Sequence, residues 1–429
     1  MSQNNFNFLT AILIGFLPLS LILGVLVSST SIILIDLIFL LYCIKNKFWS
    51  WINYPYIKII LFLYIYLLFN NFISIDNTLS SARNIGFIRY LIFVPAVIYF
   101  FKNTKYINII FFIWFFTIII TIIDVYFEFF SGVNILGNFQ PIDTRPENDP
   151  NINYGNRIVS FFKDEAIVGG FINSFFLIIV GFFFFLNKNK KKYFKYFFFL
   201  ITILIISSIV LSGERSNFIK AILGLLLFYY LCREFKIFHK IYGSMLVLTA
   251  IILIILSSDY LRNRYYGQFI EYFSSIEKIS TFLDDKSPID LYFKHYRSAY
   301  FVFKKNPILG VGNKNYGKSC FDNHDEIIRG EMVCSTHPHQ IYFELLAEHG
   351  LVGSFIILLI FAIIIYNNLK NYLKYNNKIH LGAIIYVFLT FLPLIPSGAF
   401  FGNYNSTIFW LNFSIMLAFE KKNNLINEN

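Results

Sequence analysis

The sequence predicts an all-α polytopic membrane protein with about 12 transmembrane helices and a large, partly helical outer loop. Three observations carry this. Of 429 residues, 57% are hydrophobic and 14% charged, and 54 Phe and 29 Tyr present more apolar surface than a soluble core can hide. Apolar runs near the ~20 residues needed to cross a bilayer recur along the chain, and the mean hydropathy is +0.60. Lysines concentrate in the short gaps between those runs.

Spans are expected near 8–27, 29–44, 57–74, 84–101, 107–131, 166–186, 196–212, 217–232, 241–258, 351–367, 380–396 and 404–419. Only Ser28, Ser29 and Thr30 divide the first two. The first run follows a polar, uncharged start and continues into a second, so it reads as a span and not as a cleaved signal. With the N-terminus inside, the inner loops hold Lys45, Lys47 and Lys58; Lys102 and Lys105; the patch at 188–195; Arg233, Lys236 and Lys240; Lys370, Lys374 and Lys378; and Lys421 with Lys422. The short outer loops hold only Arg83 and Arg215. Positive charge marks the cytoplasmic side, so both termini are expected there.

Two longer outer segments remain, 132–165 and 259–350. The chain therefore divides into an N-terminal bundle (1–258), an outer loop (259–350) and closing spans with a tail (351–429). Within the loop, Ile289 to Lys305 has helical spacing: Leu291, Phe293, Tyr296, Tyr300 and Phe303 are apolar, with Lys294, Arg297 and Lys304 between them. An amphipathic helix lying along the outer membrane surface is expected. Asn306-Pro307 ends it, and Gly310-Val311-Gly312 allows a tight turn.

The formal charge of +11 follows the loops, as topology requires, so nucleic acid is not an expected partner. Four cysteines divide two and two. Cys43 and Cys232 lie at span ends and are expected to be unpaired. Cys320 and Cys334 share the outer loop, where they form either a disulfide or two free thiols.

Candidate chemistry gathers in His337-Pro338-His339-Gln340, ahead of a short amphipathic helix that Gly350 and Gly353 turn into a span. Thr336 is expected to cap that helix, with Pro338 in its first turn. His339 then sits near the helix N-terminus, where the dipole disfavours imidazolium; a neutral imidazole is what a general base needs. The alternative is a capping or interfacial histidine. His337, two residues away, points elsewhere and either supports or binds.

Arg215, in Leu-Ser-Gly-Glu-Arg-Ser-Asn between two spans, is either paired with Glu214 or a bidentate phosphate ligand. Arg297 is either a solvated face residue or a headgroup contact. Arg262 and Arg264 extend an outer positive zone that attracts an anionic headgroup or diphosphate. Asp124 and Glu128, one turn apart, either line a polar cavity or sit at the interface.

No metal or cofactor is expected. His337, His339, His349, Asp322, His324, Asp325 and Glu326 match no zinc or calcium spacing, and no Gly-rich phosphate loop opens a helix after a strand.

These residues resemble the O-antigen ligase and polymerase family. The ligase signature is His, then Asn, Ser or Gln, a spacer, then Gly-x-x-Gly. Here His339-Gln340, residues 341–349, Gly350 and Gly353 match it without a gap, and Asn306-Pro307 with Gly310-Val311-Gly312 precedes it. One large outer loop before the last spans also fits.

The resemblance implies a GT-C-like, metal-independent, inverting glycosyltransferase of the bacterial inner membrane. Its donor would be an undecaprenyl diphosphate-linked glycan on the periplasmic side. Its acceptor would be lipid A-core for a ligase or a lipid-linked glycan for a polymerase, in lipopolysaccharide biosynthesis. By position, His339 matches the signature histidine that activates the acceptor hydroxyl. Arg215 matches the arginine after the Ser-Gly turn, and Arg297 the arginine ahead of the Asn-Pro turn, the arginines that hold the diphosphate. His337, Arg262, Arg264 and Gln340 are expected to bind substrate.

The signature favours ligase over polymerase, although polymerases share the domain, and transfer to a protein hydroxyl is a third variant. A lipid-linked sugar transporter is the alternative from another class. Transporters often show internal repeats and broken midplane helices, and this chain shows neither clearly.

Overall fold

The computed structural model describes residues 3–103, 105–137, 157–163, 165–186, 194–267, 270, 291–322 and 333–420. In chain order the helices are α1 (Gln3–Leu23), α2 (Val25–Asn46), α3 (Pro55–Ile73), α4 (Asn77–Gly86), α5 (Ile88–Asn103), α6 (Ile107–Ser131), α7 (Val168–Leu186), α8 (Phe194–Leu211) and α9 (Arg215–Leu231). They continue with α10 (Ile237–Leu256), α11 (Asp259–Arg262), α12 (Leu291–Lys305), α13 (Tyr316–Phe321), α14 (Ile341–Tyr375), α15 (Lys378–Thr390) and α16 (Asn403–Ala418). The chain is an all-α polytopic membrane protein.

Each expected span is met by a helix. Among the described residues, 8 helices are long and apolar enough to cross a bilayer: α1, α2, α3, α4 with α5, α6, α7, α10 and α14. The helices at the other expected spans, α8, α9, α15 and α16, have 18, 17, 13 and 16 residues. Packing explains how the shortest is accommodated. A β-carbon on Gly181 of α7 would overlap the Lys378 carbonyl, and one on Gly382 of α15 would overlap the Leu177 carbonyl. Such close backbone approach is how helices associate in lipid, where tails compete equally for apolar side chains. Burial falls from 78% across α7 to 22% across α10, so α7 lies in the interior and α10 on the rim.

Some local expectations are corrected. The first two spans divide at Gly24, whose φ of 121° suits glycine, not at Ser28–Thr30; those hydroxyl residues continue α2. The span expected from 84 begins earlier, as α4, capped by the Asp76 carboxylate on the Thr78 and Leu79 amides, and breaks at Phe87 before α5.

The stretch expected to lie on the membrane surface is α12, and its apolar face is covered by protein instead. Phe293, Tyr296, Ala299 and Val302 are buried, and Tyr296 stacks on Phe343 of α14 at 4.9 Å between ring centroids. Arg297, expected on a solvated face or against headgroups, is also buried.

Most of 188–195, much of 132–165, His324, Asp325, Glu326, Lys421 and Lys422 lie outside the described residues. Asp124 and Glu128 prove to be anchors for the ends of the 132–165 segment. Asp124 accepts the Ile135 amide at 2.7 Å and the Ser160 hydroxyl at 2.5 Å. Glu128 accepts the Val159 and Ser160 amides at 3.1 and 2.7 Å.

Candidate active site

The site is built on an interlock between two glycine turns. The Pro307–Gly312 turn lies across a kink in α14 at Gly350, where φ is 62° and ψ −167°. The Leu351 and Val352 amides donate to the Pro307 and Ile308 carbonyls at 2.8 and 3.1 Å. The Val311 and Gly312 amides donate to the Ala347 and Glu348 carbonyls at 3.0 and 2.9 Å. A β-carbon on Gly350 would overlap the Ile308 carbonyl, and one on Gly310 would overlap the Glu348 backbone. The spacing of the signature therefore has a structural cause: the glycines let two backbones meet while the kink separates a short arm, 341–349, from the membrane helix.

The corner of α3 and α4 clasps the same turn. Asn70 Oδ1 accepts the Asn313 amide at 2.8 Å, the Ser80 hydroxyl donates to the Asn313 carbonyl at 2.8 Å, and Asn315 Nδ2 donates to Ser80 at 2.7 Å. Arg83 donates to Asn313 Oδ1 at 3.2 Å and lies 3.8 Å from the Glu348 carboxylate.

The arm carries a strap, residues 333–340. Val333 is pinned to α12 twice: its amide donates to Ser298 Oγ at 3.0 Å, and its carbonyl accepts from His295 Nδ1 at 3.0 Å. A disulfide joins Cys334 to Cys320 on α13, with 5.7 Å between α-carbons. At the other end, the Ser397 amide donates to the His339 carbonyl at 2.8 Å.

The helix cap differs from the expected one. Gln340, not Thr336, caps α14, its Oε1 accepting the Tyr342 and Phe343 amides at 2.7 and 3.0 Å. Pro338 and His339 therefore precede the helix. Gln340 is buried, and its carbonyl is committed to the cap. His339 takes a left-handed φ of 57°, which costs a residue with a β-carbon about 1 kcal/mol.

Three imidazoles meet there. The His339 ring lies 4.1 Å from that of His337 and 4.9 Å from that of His295, between centroids. Burial pushes His339 down to about 3, with His337 and His295 beside it adding to the effect. Burial pushes His337 down to about 4, helped by His295 and by the Arg83 guanidinium. A buried imidazole sheds its proton because the cation loses more hydration than the neutral ring. His339 is thus a neutral base at ordinary pH. Among the described residues no group of three ligating side chains is disposed to hold a metal ion.

An arginine centre lies nearby, at the start of α9. Arg264 is buried and its Nε donates to the Gly213 carbonyl at 3.0 Å. The Arg157 side chain and the Tyr260 hydroxyl close on the same glycine. Burial lowers the Arg264 guanidinium below its usual range, and the Arg215 and Arg157 charges push it further in that direction. Arg157, Arg215 and Arg264 therefore form one cationic group. Glu214, one of the two partners open for Arg215, reaches the N-terminus of α7, accepting the Gly169 and Gly170 amides at 2.5 and 3.1 Å and the Asn217 amide nitrogen at 2.6 Å. Tyr292 links the centres: its ring lies 6.1 Å from His339, and its phenol acts electrostatically on Arg264.

The structure thus brings together His339 and His337, and, through Tyr292, Arg215 and Arg264. It does not gather every expected residue. Arg262 is exposed and paired with Asp259. Tyr292 and His295, three apart on α12, share the face turned to His339, whereas Arg297 lies about 200° around the helix from His295. Reading the sequence missed Arg83, Arg157, Tyr260, Tyr292 and His295. The one available signal was helical spacing: Tyr292 and His295 are one turn apart on a helix that precedes the glycine turn. Nothing local pointed to Arg157 or Arg83.

No curated protein matches the chain. Residues 200–358 match the family model described as O-antigen ligase. The match covers Arg215 and Arg264 of the arginine centre but not Arg157, together with α12, the glycine interlock and the histidine strap. Members of that family are glycosyltransferase-like ligases or polymerases. Over residues 200–358 this multi-pass membrane chain is thus similar to the O-antigen ligase family.

Proposed function

We propose that the protein transfers a glycan from undecaprenyl diphosphate to lipid A-core at the periplasmic face of the bacterial inner membrane. The observation that carries the reading is the pairing of a desolvated, neutral imidazole at His339 with an arginine group around the buried Arg264, beside the start of α9. Glycosyl transfer from a diphosphate needs both. The acceptor hydroxyl must lose a proton as it attacks the anomeric carbon, and a neutral imidazole takes it. The diphosphate departs with the electron pair of the broken C–O bond, and guanidiniums stabilise the charge that develops on it. Arg215 and Arg264 are assigned to the diphosphate, with Arg157 beside them. His339 is assigned as base, and Gln340 positions it by capping the helix behind it. Metal independence and inversion at the anomeric carbon fit this division of labour.

The lysine asymmetry of the loops supports a periplasmic site with both termini in the cytoplasm. The ligase reading rests on the His339-Gln340 to Gly350-x-x-Gly353 spacing. Deletion of the gene in its native host tests it. A ligase predicts loss of all polymer from lipid A-core while lipid-linked polymer accumulates. A single repeat left on the core assigns the protein as a polymerase instead, and unchanged lipopolysaccharide overturns both.

A further inference from the structure

We infer that Tyr260 is a further ligand of the donor's diphosphate, its phenol O–H donating to a phosphate oxygen held in the arginine centre; this rests on the reading of that centre as the diphosphate site. Tyr260 lies on α11, four residues before Arg264, and residues four apart along a helical stretch are neighbours. The Tyr260 hydroxyl sits against Gly213: a β-carbon on that glycine would overlap it, and the Arg157 side chain comes within 3.3 Å of the same point. Arg264 Nε is tied to the Gly213 carbonyl at 3.0 Å. The Arg264, Arg157 and Arg215 charges all act on the phenol.

The hydroxyl itself is buried and, among the described residues, has no hydrogen-bond partner. Tyr265, just beyond α11, shows the ordinary solution: its hydroxyl donates to the Val210 carbonyl at 2.9 Å. Nothing does this for Tyr260. The carboxylates beside it in the chain and in the Gly213 turn are committed elsewhere, Asp259 to Arg262 and Glu214 to the α7 amides and Asn217. A buried hydroxyl without a partner costs free energy that a phenylalanine ring of the same shape does not. A phosphate removes that cost, because its oxygens accept and the guanidiniums already hold positive charge where it would arrive.

Tyr260 adds a neutral donor to the charged ones. Burial raises its pKa, outweighing the three arginines, which pull it down, so the phenol keeps its proton at neutral pH. As the C–O bond to the diphosphate breaks, its electron pair stays on the phosphate oxygen and negative charge grows there. The Tyr260 O–H bonds that oxygen set more strongly without giving up its proton. The acceptor's proton passes to His339, and Tyr260 ends unchanged.

Tyr260→Phe removes the hydroxyl and keeps the ring. The full chain is placed in lipid nanodiscs, and its melting temperature is followed with undecaprenyl diphosphate and with undecaprenol, which lacks phosphate. The wild type is expected to gain stability from the first and not the second, since a ligand stabilises the state it binds. A hydrogen bond to a charged group changes affinity by about tenfold to a hundredfold. The Kd for undecaprenyl diphosphate should therefore rise about tenfold or more in Tyr260→Phe, and kcat/KM for the lipid-linked glycan should fall by a similar factor. Without either isoprenoid, Tyr260→Phe should melt at or above the wild-type temperature, because an unpartnered hydroxyl gives the fold nothing to lose. A lower melting temperature in that state, or unchanged Kd and kcat/KM, overturns the role of Tyr260. A wild type stabilised no more by undecaprenyl diphosphate than by undecaprenol overturns the diphosphate site itself, so the two failures are distinguishable.

Discussion

The histidine centre and the arginine centre lie at the same end of the bundle and are both partly buried, yet desolvation acts on them in opposite ways. An imidazole relieves the cost of burial by releasing its proton, and His339 and His337 do so, titrating near 3 and 4. A guanidinium has no such exit, because its pKa lies far above any working pH. Arg264 stays charged, with the Arg215 and Arg157 charges beside it. One centre is therefore at rest without a ligand, while the other gains from an incoming anion. Burial leaves a neutral imidazole at one and a retained positive charge at the other, and neither outcome needs the other's chemistry.

Their supports differ as well. The arginines come from the start of α9, the turn after α11 and the irregular stretch at Arg157, all around the Gly213 turn. The histidines stand on a strap fixed by a disulfide, two bonds at Val333 and one at the His339 carbonyl. Damage to the support is expected to cost more at the histidine centre.

The largest expected effect is at the base. His339→Ala should lower transfer by about a hundredfold to ten-thousandfold, the usual contribution of general base catalysis, with expression and melting temperature near wild type. Turnover by the purified variant checks it, and retained activity would mean that the neutral imidazole is incidental. The strap comes next. Replacing both Cys320 and Cys334 by Ser opens a loop with a sequence separation of 14 and should cost about 3 kcal/mol. Denaturant unfolding in detergent reads the stability change, and kcat should fall alongside it. Wild-type kcat would show that the strap holds its geometry without the crosslink.

At the arginine centre, Arg215→Lys keeps the charge and removes the fork. Transfer is expected to fall by about tenfold, mostly as a higher KM for the lipid-linked donor, because a point charge cannot replace bidentate contact with phosphate. An unchanged KM would reduce the centre to a source of general positive potential.

Much of this arrangement was legible in the sequence, and the reasons differ by level. Hydropathy marked the apolar helices because lipid demands a long apolar helix wherever the chain crosses. The boundary between α1 and α2 was misread because serines and a threonine bond to preceding carbonyls within α2, as Ser28, Thr30 and Ser31 do, and so behave as helix residues. The motif located His339, Arg215 and the glycine turns. It did not find Arg157, Arg83 or Tyr260, because tertiary packing brings them from distant segments. Arg297, placed in the site by its position ahead of the Asn-Pro turn, lies about 200° around α12 from His295 and so on another face of that helix.

The smallest expected effect is on the pH profile. An ordinary histidine base loses activity as pH falls through about 6.5. Here the acid limb of kcat/KM should lie well below that, toward the values near 3 and 4 of the folded site, so transfer should be nearly flat between pH 7 and roughly 5.5. Stability behaves differently because it compares folded with unfolded rings. Both imidazoles have folded pKa values below the unfolded 6.5, so the unfolded chain binds more protons in the window between. Their contribution is fully present above about 6.5 and is lost as pH falls through that window. Melting temperature should therefore begin to drop near pH 6 while kcat/KM still holds. A fall of both together at 6.5 would mean that water reaches the strap and that the contrast between the two centres is weaker than burial implies.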